Sequence, residues 1–263
     1  MSQIVMGQYY PGDSLVHRMD PRAKWLFLMV FMIFVFWANH LRSTAVLLFF
    51  TLVAAGMARI PVSVFIRAIR PALFIILFTM ILHLLMTKGG EALLRLPFIT
   101  IYQEGLRQAV FVSARLFVLI SVASLLTFTT SPIDLTDGIE WLLKPLQRFK
   151  IPVHEIALMM SIALRFIPLL WEETEKIRKA QTARGADFDT GFFIKRLKSY
   201  IPVLIPLFLS AFRRAEELAL AMEARGYRGS EGRTKWRQLR FSSLDGWLLI
   251  VAVLLFFVLR FLE

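Results

Sequence analysis

The sequence predicts an all-α integral membrane protein, in which a bundle of about five transmembrane helices is joined to a cytosolic domain of long amphipathic helices. The 263 residues are 57% hydrophobic and have a mean hydropathy of +0.62, well above the composition of soluble domains. Several apolar runs approach the roughly 20 residues that a helix needs to cross a bilayer. One later stretch, 131–240, instead carries 19 of the 31 Lys and Arg and 13 of the 19 Asp and Glu residues.

Residues 1–23 form a polar N-terminal segment, which we expect to be cytosolic. Its Pro11-Gly12-Asp13-Ser14 run is turn material. Asp20 and Pro21 then mark a helix start, because an Asp side chain accepts hydrogen bonds from first-turn amides and Pro suits the first helical position. No cleavable signal peptide is evident in this segment.

The transmembrane block is predicted at 24–130 and holds about four spans. They cover about 24–38, 43–58, 71–86 and 109–129. The piece at 59–70 combines three arginines and a proline with apolar residues, which is typical of an amphipathic helix at the membrane interface. A final span is predicted at 241–263.

The charged stretch 131–240 is predicted to be a cytosolic domain of three amphipathic helices. Ser131 precedes Asp134 by three residues, as in a helix-capping box. One helix should end before Pro152, a second should begin at residue 153, and a third at about residue 192. Because proline removes a helical hydrogen bond and kinks the helix, kinks are expected within the last two helices at Pro168, Pro202 and Pro206.

The distribution of charge predicts the orientation of the chain. Four spans before residue 131 place the N-terminal segment, the 59–70 piece and the charged domain on one side. That side holds the excess of Lys and Arg, so the positive-inside rule makes it the cytoplasmic face of the cell membrane. The net charge of +12 is expected to face anionic lipid rather than nucleic acid.

Patterns for catalysis are incomplete in this sequence. There are no cysteines, which excludes thiol chemistry and cysteine-ligated metals, and there is no Walker loop for nucleotide. His154-Glu155 begins like a zinc-binding HExxH motif, but Leu158 stands at its fifth position. Glu172 and Glu173 lie among basic residues at helical ion-pair spacing. We therefore predict no catalytic residue, no metal site and no enzyme.

Two ionisable residues are predicted at membrane depth. His83 is alone among apolar residues and is interpreted as a packing histidine. Arg115 either snorkels to the interface or pairs with another helix, and the sequence leaves both readings open. No transmembrane Asp or Glu stands out, so an ion-coupled carrier would lack its usual carboxylates. We infer that a partner supplies the energy for any transport.

The phrase Ala-x-x-Ala-Arg-Gly occurs twice, at 180–185 and 221–226, and each copy closes a predicted helix. One interpretation is simple C-capping, because Gly past a helix end adopts the left-handed conformation and Arg complements the helix dipole. Two matched copies favour docking instead. Small alanines would keep each tip thin enough for a groove, and each Arg would offer fork-shaped donors to a partner.

The whole chain resembles the transmembrane T component of energy-coupling factor (ECF) transporters, the vitamin- and metal-uptake branch of ABC transporters. The resemblance rests on the run from Tyr10 to Ser14, the run from His17 to Lys24, the membrane block, the two Ala-Arg-Gly signatures and the final span. It implies two crossing coupling helices whose tips enter grooves on two ATPase subunits. These would drive a substrate-binding S component. The docking residues it implies are Ala183, Arg184, Gly185, Ala224, Arg225 and Gly226.

The resemblance further implies no cofactor in this chain, since ATP and Mg would be bound by the partner ATPases. The function it implies is a scaffold that couples ATP hydrolysis to uptake of a vitamin or metal ion. The alternative is a self-contained permease or channel whose basic domain is regulatory. Binding of substrate by the purified chain alone would favour that alternative.

Overall fold

The computed structural model describes residues 9–95, 100–188, 192–229 and 241–262, without the side chains of Arg95, Phe193 and Lys195. The start of the predicted N-terminal segment, most of the basic run before the final span and the last residue lie outside these ranges. The chain divides into two compact units. The membrane unit comprises Val5–Leu142 and Gln238–Glu263, and the charged unit comprises Leu143–Arg237 together with Met1–Ile4.

The described part of the chain is almost entirely helical, which confirms the predicted fold class. In the membrane unit the elements are α1 (Leu15–Arg18), α2 (Pro21–Trp37), α3 (Leu41–Ala58), α4 (Val62–Met86), β1 (Ala92–Arg95), β2 (Thr100–Tyr102), α5 (Gln103–Thr129), α6 (Pro132–Leu143, whose last residue falls in the charged unit) and α10 (Ser243–Leu262). In the charged unit a 3₁₀ turn (Lys144–Phe149) precedes α7 (Val153–Ala183), α8 (Phe193–Ser199) and α9 (Ile201–Ala224). The β1–β2 hairpin is antiparallel and was not predicted.

Among the described residues, five helices are long and apolar enough to cross a membrane: α3, α4, α5, α7 and α10. The predicted number of about five is confirmed, but the set differs. The predicted first span, α2, has 17 residues, one short of the 18 that define this set, although it lies within the range of membrane-crossing helices. The added member, α7, qualifies through its apolar first half, because its second half carries the charges from Glu172 to Lys179.

The predicted division between an interfacial piece at 59–70 and a span from residue 71 does not appear in the secondary structure. Arg59 is instead the left-handed C-cap of α3, and α4 then runs without a break for 25 residues with Pro71 inside it. Proline removes one hydrogen bond from a helix. Membrane helices tolerate that loss because neighbouring groups and local adjustments satisfy the freed carbonyl.

The core of the membrane unit lies where α2, α3, α5 and α10 meet. Phe31, Leu47 and Val118 are each at most 1% exposed, and Leu255 packs into the same cluster. Lipid is as apolar as these side chains, so close packing rather than removal from water drives helix association at this depth. The core therefore fixes the relative positions of four helices through shape.

Gly105 marks a close approach between α5 and the end of α4. A Cβ atom on Gly105 would lie 2.9 Å from the carbonyl oxygen of Thr87 and 3.3 Å from that of His83. Any larger residue would push the two helices apart. His83 thus lies in the last turn of α4 at a helix contact, and no group of three His, Asp or Glu residues in the described ranges could hold a metal there.

Arg115 pairs with another helix, which decides between the two readings left open by the sequence. Its Nη2 atom donates a 2.7 Å hydrogen bond to the carbonyl oxygen of Ala38, the C-cap of α2, and its guanidinium carbon lies 4.5 Å from the ring centre of Phe111. The last carbonyls of a helix lack intrahelical partners, and a cation at that end is favourable. Arg115 on α5 therefore caps the C-terminal end of α2.

We predict that Arg115→Met lowers the free energy of unfolding in detergent by about 2 kcal/mol, the usual range for a hydrogen bond to a charged group. Arg107→Met is the matched control, because Arg107 lies on the same helix but is exposed and only forms a 3.8 Å ion pair with Glu104. The control should cost less than about 1 kcal/mol. Equal losses in denaturant titrations of the two variants would contradict the assigned role.

Candidate docking tips of the charged unit

Both Ala-x-x-Ala-Arg-Gly copies end long helices, as the sequence predicts. The first closes the 31-residue α7 and the second closes the 24-residue α9. Arg184 and Arg225 are the C-cap residues, with backbone angles that agree within a few degrees (φ −87° and ψ 6° against φ −88° and ψ 8°). The two tips are therefore copies in local structure as well as in sequence.

The hydrogen bonds after each helix complete the same motif. At the first tip, the amide of Gly185 donates to the carbonyl of Thr182 (2.9 Å) and that of Ala186 donates to Gln181 (3.0 Å). This is the Schellman arrangement, which needs a left-handed residue just past the cap. Gly185 supplies it with φ +90°. The capping interpretation thus accounts for the glycine.

The second tip repeats this pattern bond for bond. Gly226 donates to Glu223 (2.8 Å), and Tyr227 donates to Met222 (3.0 Å). Gly226 has φ +72°, again in the left-handed region. A Cβ atom added to either glycine would meet no atom within 4 Å. Glycine is therefore favoured at these positions by the left-handed backbone conformation, and not by packing within the chain.

The remaining signature residues have no comparable role inside the chain. The lead alanines are exposed at both tips, and so are Arg184 and Arg225. Across the part of the chain that the structure describes, neither guanidinium has a hydrogen bond or an ion pair. Capping explains the glycines and the backbone, but it leaves four exposed alanines and two arginine forks available for other contacts. The exposed alanines are Ala180, Ala183, Ala221 and Ala224.

The two long helices are linked by an ion pair between equivalent positions. Arg214 Nη2 lies 3.4 Å from Glu173 Oε2, and these residues are 41 positions apart, the same offset as Arg184 and Arg225. The sequence predicts a solvated ion pair for Glu173 on its own helix, so this link between two helices was not predicted. The only hint of this contact in the sequence was the separation of 41 residues, which the Glu173–Arg214 pair shares with the two signature arginines. On α7 itself the pair is instead Glu175 and Arg178, 3.1 Å apart.

The pairing shows that α7 and α9 run in opposite directions. Gln181 near the end of α7 donates to the carbonyl of Pro202 at the start of α9 (3.4 Å), while the Glu173–Arg214 pair joins their middles. Each helix ends ten residues beyond this pair, which is about 15 Å along a helix. The tips therefore extend from the pair in opposite directions.

Two of the three prolines in the long helices lie where the sequence predicts them, and the third lies at a helix start. Pro168 and Pro206 lie inside α7 and α9, and kinks at these two residues remain predictions. Pro202 is the second residue of α9, directly after the break at Tyr200, where an amide would have no intrahelical partner in any case. It therefore lies at a helix start and not inside a continuous helix, and the bend expected at this residue also stays a prediction. The single helix predicted from about residue 192 is in fact α8 followed by α9, separated at Tyr200.

The charged unit also exposes much apolar surface along α7 and α9. Apolar patches of this kind on a folded protein mark contact with lipid or protein. The large exposed side chains include Met159, Ile167, Trp171, Leu204, Phe208, Leu209 and Phe212. Such helices are unsuited to standing free in water.

We predict that Gly185→Ala or Gly226→Ala lowers the free energy of unfolding by about 1 kcal/mol, because a Cβ atom is strained in the left-handed conformation. Gly56→Ala is the control, since Gly56 lies inside α3 with nothing near its added Cβ atom. It should instead stabilise the chain by up to about 1 kcal/mol. Denaturant unfolding in detergent measures both. Neutral substitutions at the tips would argue against the capping role.

A second prediction concerns the link between the helices. Glu173→Arg should destabilise the charged unit through like charges facing Arg214, and adding Arg214→Glu should restore most of the loss. The coupling in a double-mutant cycle should be about 0.5–1 kcal/mol, because both side chains are partly exposed. The Glu175–Arg178 pair, swapped in the same way, is the control within one helix. A cycle with no coupling would show that the contact contributes nothing.

Comparisons with known proteins agree with this architecture. Residues 12–236 match the model of the CbiQ family, described as cobalt transport protein. The chain is 54% identical over 259 residues to the energy-coupling factor transporter transmembrane protein EcfT of Brevibacillus brevis, covering 98% of each chain. It is 50% identical to the protein of that name from Bacillus subtilis (98% of this chain, 99% of the relative) and 51% identical to that from Acidaminococcus fermentans (100% and 98%).

The three relatives match this chain over nearly its full length, including both tips and the final helix. They identify a multi-pass membrane protein and a non-catalytic transporter subunit. The chain belongs to the CbiQ family, as the EcfT transmembrane component of an energy-coupling factor transporter.

Proposed function

We propose that this chain couples ATP hydrolysis by two ATPase subunits to uptake of a vitamin or metal ion through a substrate-binding S component. The observation that carries the proposal is the pair of tips. They share one backbone geometry, their arginines are exposed, and in the described ranges those arginines have no partner within the chain.

Each tip has the chemistry of a plug for a protein groove. The lead alanines leave one side of the helix end narrow. The Schellman turn fixes the backbone conformation of the arginine at the C-cap position. Its guanidinium can then donate several hydrogen bonds to carboxylates or backbone carbonyls of a socket. The proposed docking residues are Ala183, Arg184 and Gly185 at one tip and Ala224, Arg225 and Gly226 at the other.

Two matched tips call for two similar sockets, which supports a pair of ATPases, identical or related. Because the tips extend in opposite directions from the Glu173–Arg214 pair, one socket could not accept both. A movement of the two ATPases would therefore act on the two ends of one connected pair of helices. ATP and Mg belong to those partners in this proposal, and the chain itself needs no cofactor.

The proposal places residues 131–240 and 1–23 in the cytoplasm, with the arginine-bearing start of α4 at the interface. Charge supports this side, because the positive-inside rule keeps basic segments cytoplasmic. The exposed apolar faces of α7 and α9 are suited to the membrane surface and to an S component. Methionine on such a face adapts to more than one partner, so one chain could serve several S components.

The test is charge reversal at both tips of the complex co-expressed with its native partners. We expect Arg184→Glu with Arg225→Glu to abolish co-purification of ATPases and to reduce uptake at least tenfold. Uptake is followed with labelled riboflavin, folate, biotin and cobalt ion, using the probe that wild-type vesicles accumulate. Lys179→Glu, an exposed site on α7 with the same charge change, is the control and should retain both activities.

Retention of ATPases and of uptake by the double variant would refute the docking assignment. Binding of a labelled probe to the purified chain without partners would favour a self-contained permease or channel instead. A double variant that keeps its folded α-helix content but loses the ATPases supports the proposal directly.

A further inference from the structure

The start of α2 lies against the two chain segments that connect the membrane unit to the charged unit. The chain passes from one unit to the other after Leu142, at the end of α6, and returns at Gln238, shortly before α10. Arg22 in the first turn of α2 contacts a residue from each connection. Its guanidinium carbon lies 5.7 Å from the ring centre of Trp141 and 6.0 Å from that of Phe241.

The two rings also contact one another, with centres 6.4 Å apart and planes at 73°. An arginine within about 6 Å of an aromatic ring is attracted to its face. One cation therefore joins the outgoing and the returning segments at a single point. We call Arg22, Trp141 and Phe241 the arginine clamp.

Hydrogen bonds hold the base of the clamp rigid. The Arg22 amide donates to Asp20 Oδ1 (2.8 Å), and the Asp20 amide donates to Asp245 Oδ1 in α10 (2.8 Å). Asp245 Oδ2 accepts from both the amide and the hydroxyl of Ser242. Asp20 and Asp245 are buried, and buried charged groups are costly to separate from their partners.

Close packing fixes α6 on the same helix start. A Cβ atom on Gly138 of α6 would lie 2.9 Å from Cδ1 of Trp25 and 3.5 Å from the carbonyl oxygen of Pro21. Lys24, the residue before Trp25, donates from Nζ to the carbonyl of Thr129 (2.9 Å) and to the hydroxyl of Thr130 (3.1 Å), just before α6 begins. The first two turns of α2 thus contact the end of α5, α6 and α10.

We propose that the arginine clamp transmits motion of the charged unit to the membrane unit by making its two covalent connections move together. This inference rests on the proposed coupling function. With the clamp intact, a displacement that reaches α6 is shared with α10 and delivered to α2. Without it, the two connections are no longer joined directly at this point and share less of the displacement, so ATP hydrolysis continues while less of it drives uptake.

A residue that only supports folding would lower ATP hydrolysis and uptake together, whereas a coupling residue changes their ratio. We expect Arg22→Ala in the purified, reconstituted complex to keep ATP hydrolysis within about twofold of wild type. Uptake of the accumulated probe should fall about tenfold, so that the ATP consumed per probe transported rises at least fivefold. Arg22→Lys keeps a cation between the rings and should retain more than half of the wild-type uptake.

Arg18→Ala is the matched control, because Arg18 lies four residues earlier and is exposed. It should leave the ratio unchanged. Phe241→Leu removes one ring and none of the hydrogen bonds described above, so it tests the clamp even where Arg22→Ala folds poorly. We expect it to raise the ratio by about threefold, and the two substitutions together to act no more strongly than Arg22→Ala alone.

A wild-type ratio in both Arg22→Ala and Phe241→Leu would overturn the inference, as would equal losses of hydrolysis and uptake in Phe241→Leu. These results are distinct from failure of the proposed function. In that case the wild-type chain would purify without ATPases or would retain them after reversal of Arg184 and Arg225. Failure of the clamp alone would leave tip docking intact.

Discussion

The buried carboxylate of Asp245 ties the last helix of the chain to its first long helix, and the order of the membrane unit depends on that link. Its two oxygens accept from the Asp20 amide and from the backbone and side chain of Ser242. A buried charge is tolerated only when its hydrogen-bonding capacity is used. The partners are 225 residues apart in the case of Asp20, so this bond closes the membrane unit on itself.

The two units follow different rules for their polar groups. In the membrane unit, the side chains of Lys24, Arg115, Asp20 and Asp245 each make at least one hydrogen bond within the chain, which a low-dielectric surrounding favours. In the charged unit, apolar side chains and both signature arginines are exposed. The named charged groups of the membrane unit thus have hydrogen-bond partners in the chain, whereas the signature arginines of the charged unit are exposed and available for other contacts.

Features set by a few neighbouring residues could be predicted from the sequence. Asp20 with Pro21, Ser131 with Asp134, and the glycines after α7 and α9 all take the capping roles expected of them. Features that join distant residues could not be predicted. The fold alone decides that Arg115 binds the end of α2 and that Glu173 pairs with Arg214, because the local sequence allows several partners for each side chain. It also decides that α4 is unbroken, because the local sequence allows more than one helix boundary there.

The Glu173–Arg214 pair means that the two arms of the charged unit are copies in form but opposites in charge at the point where they meet. Equivalent positions face one another there. Two α7 helices from separate chains, brought together in the same antiparallel way, would place glutamate against glutamate, and two α9 helices would place arginine against arginine. Each arm is thus complementary to its sibling and repels its own duplicate, which disfavours the pairing of like helices from two chains.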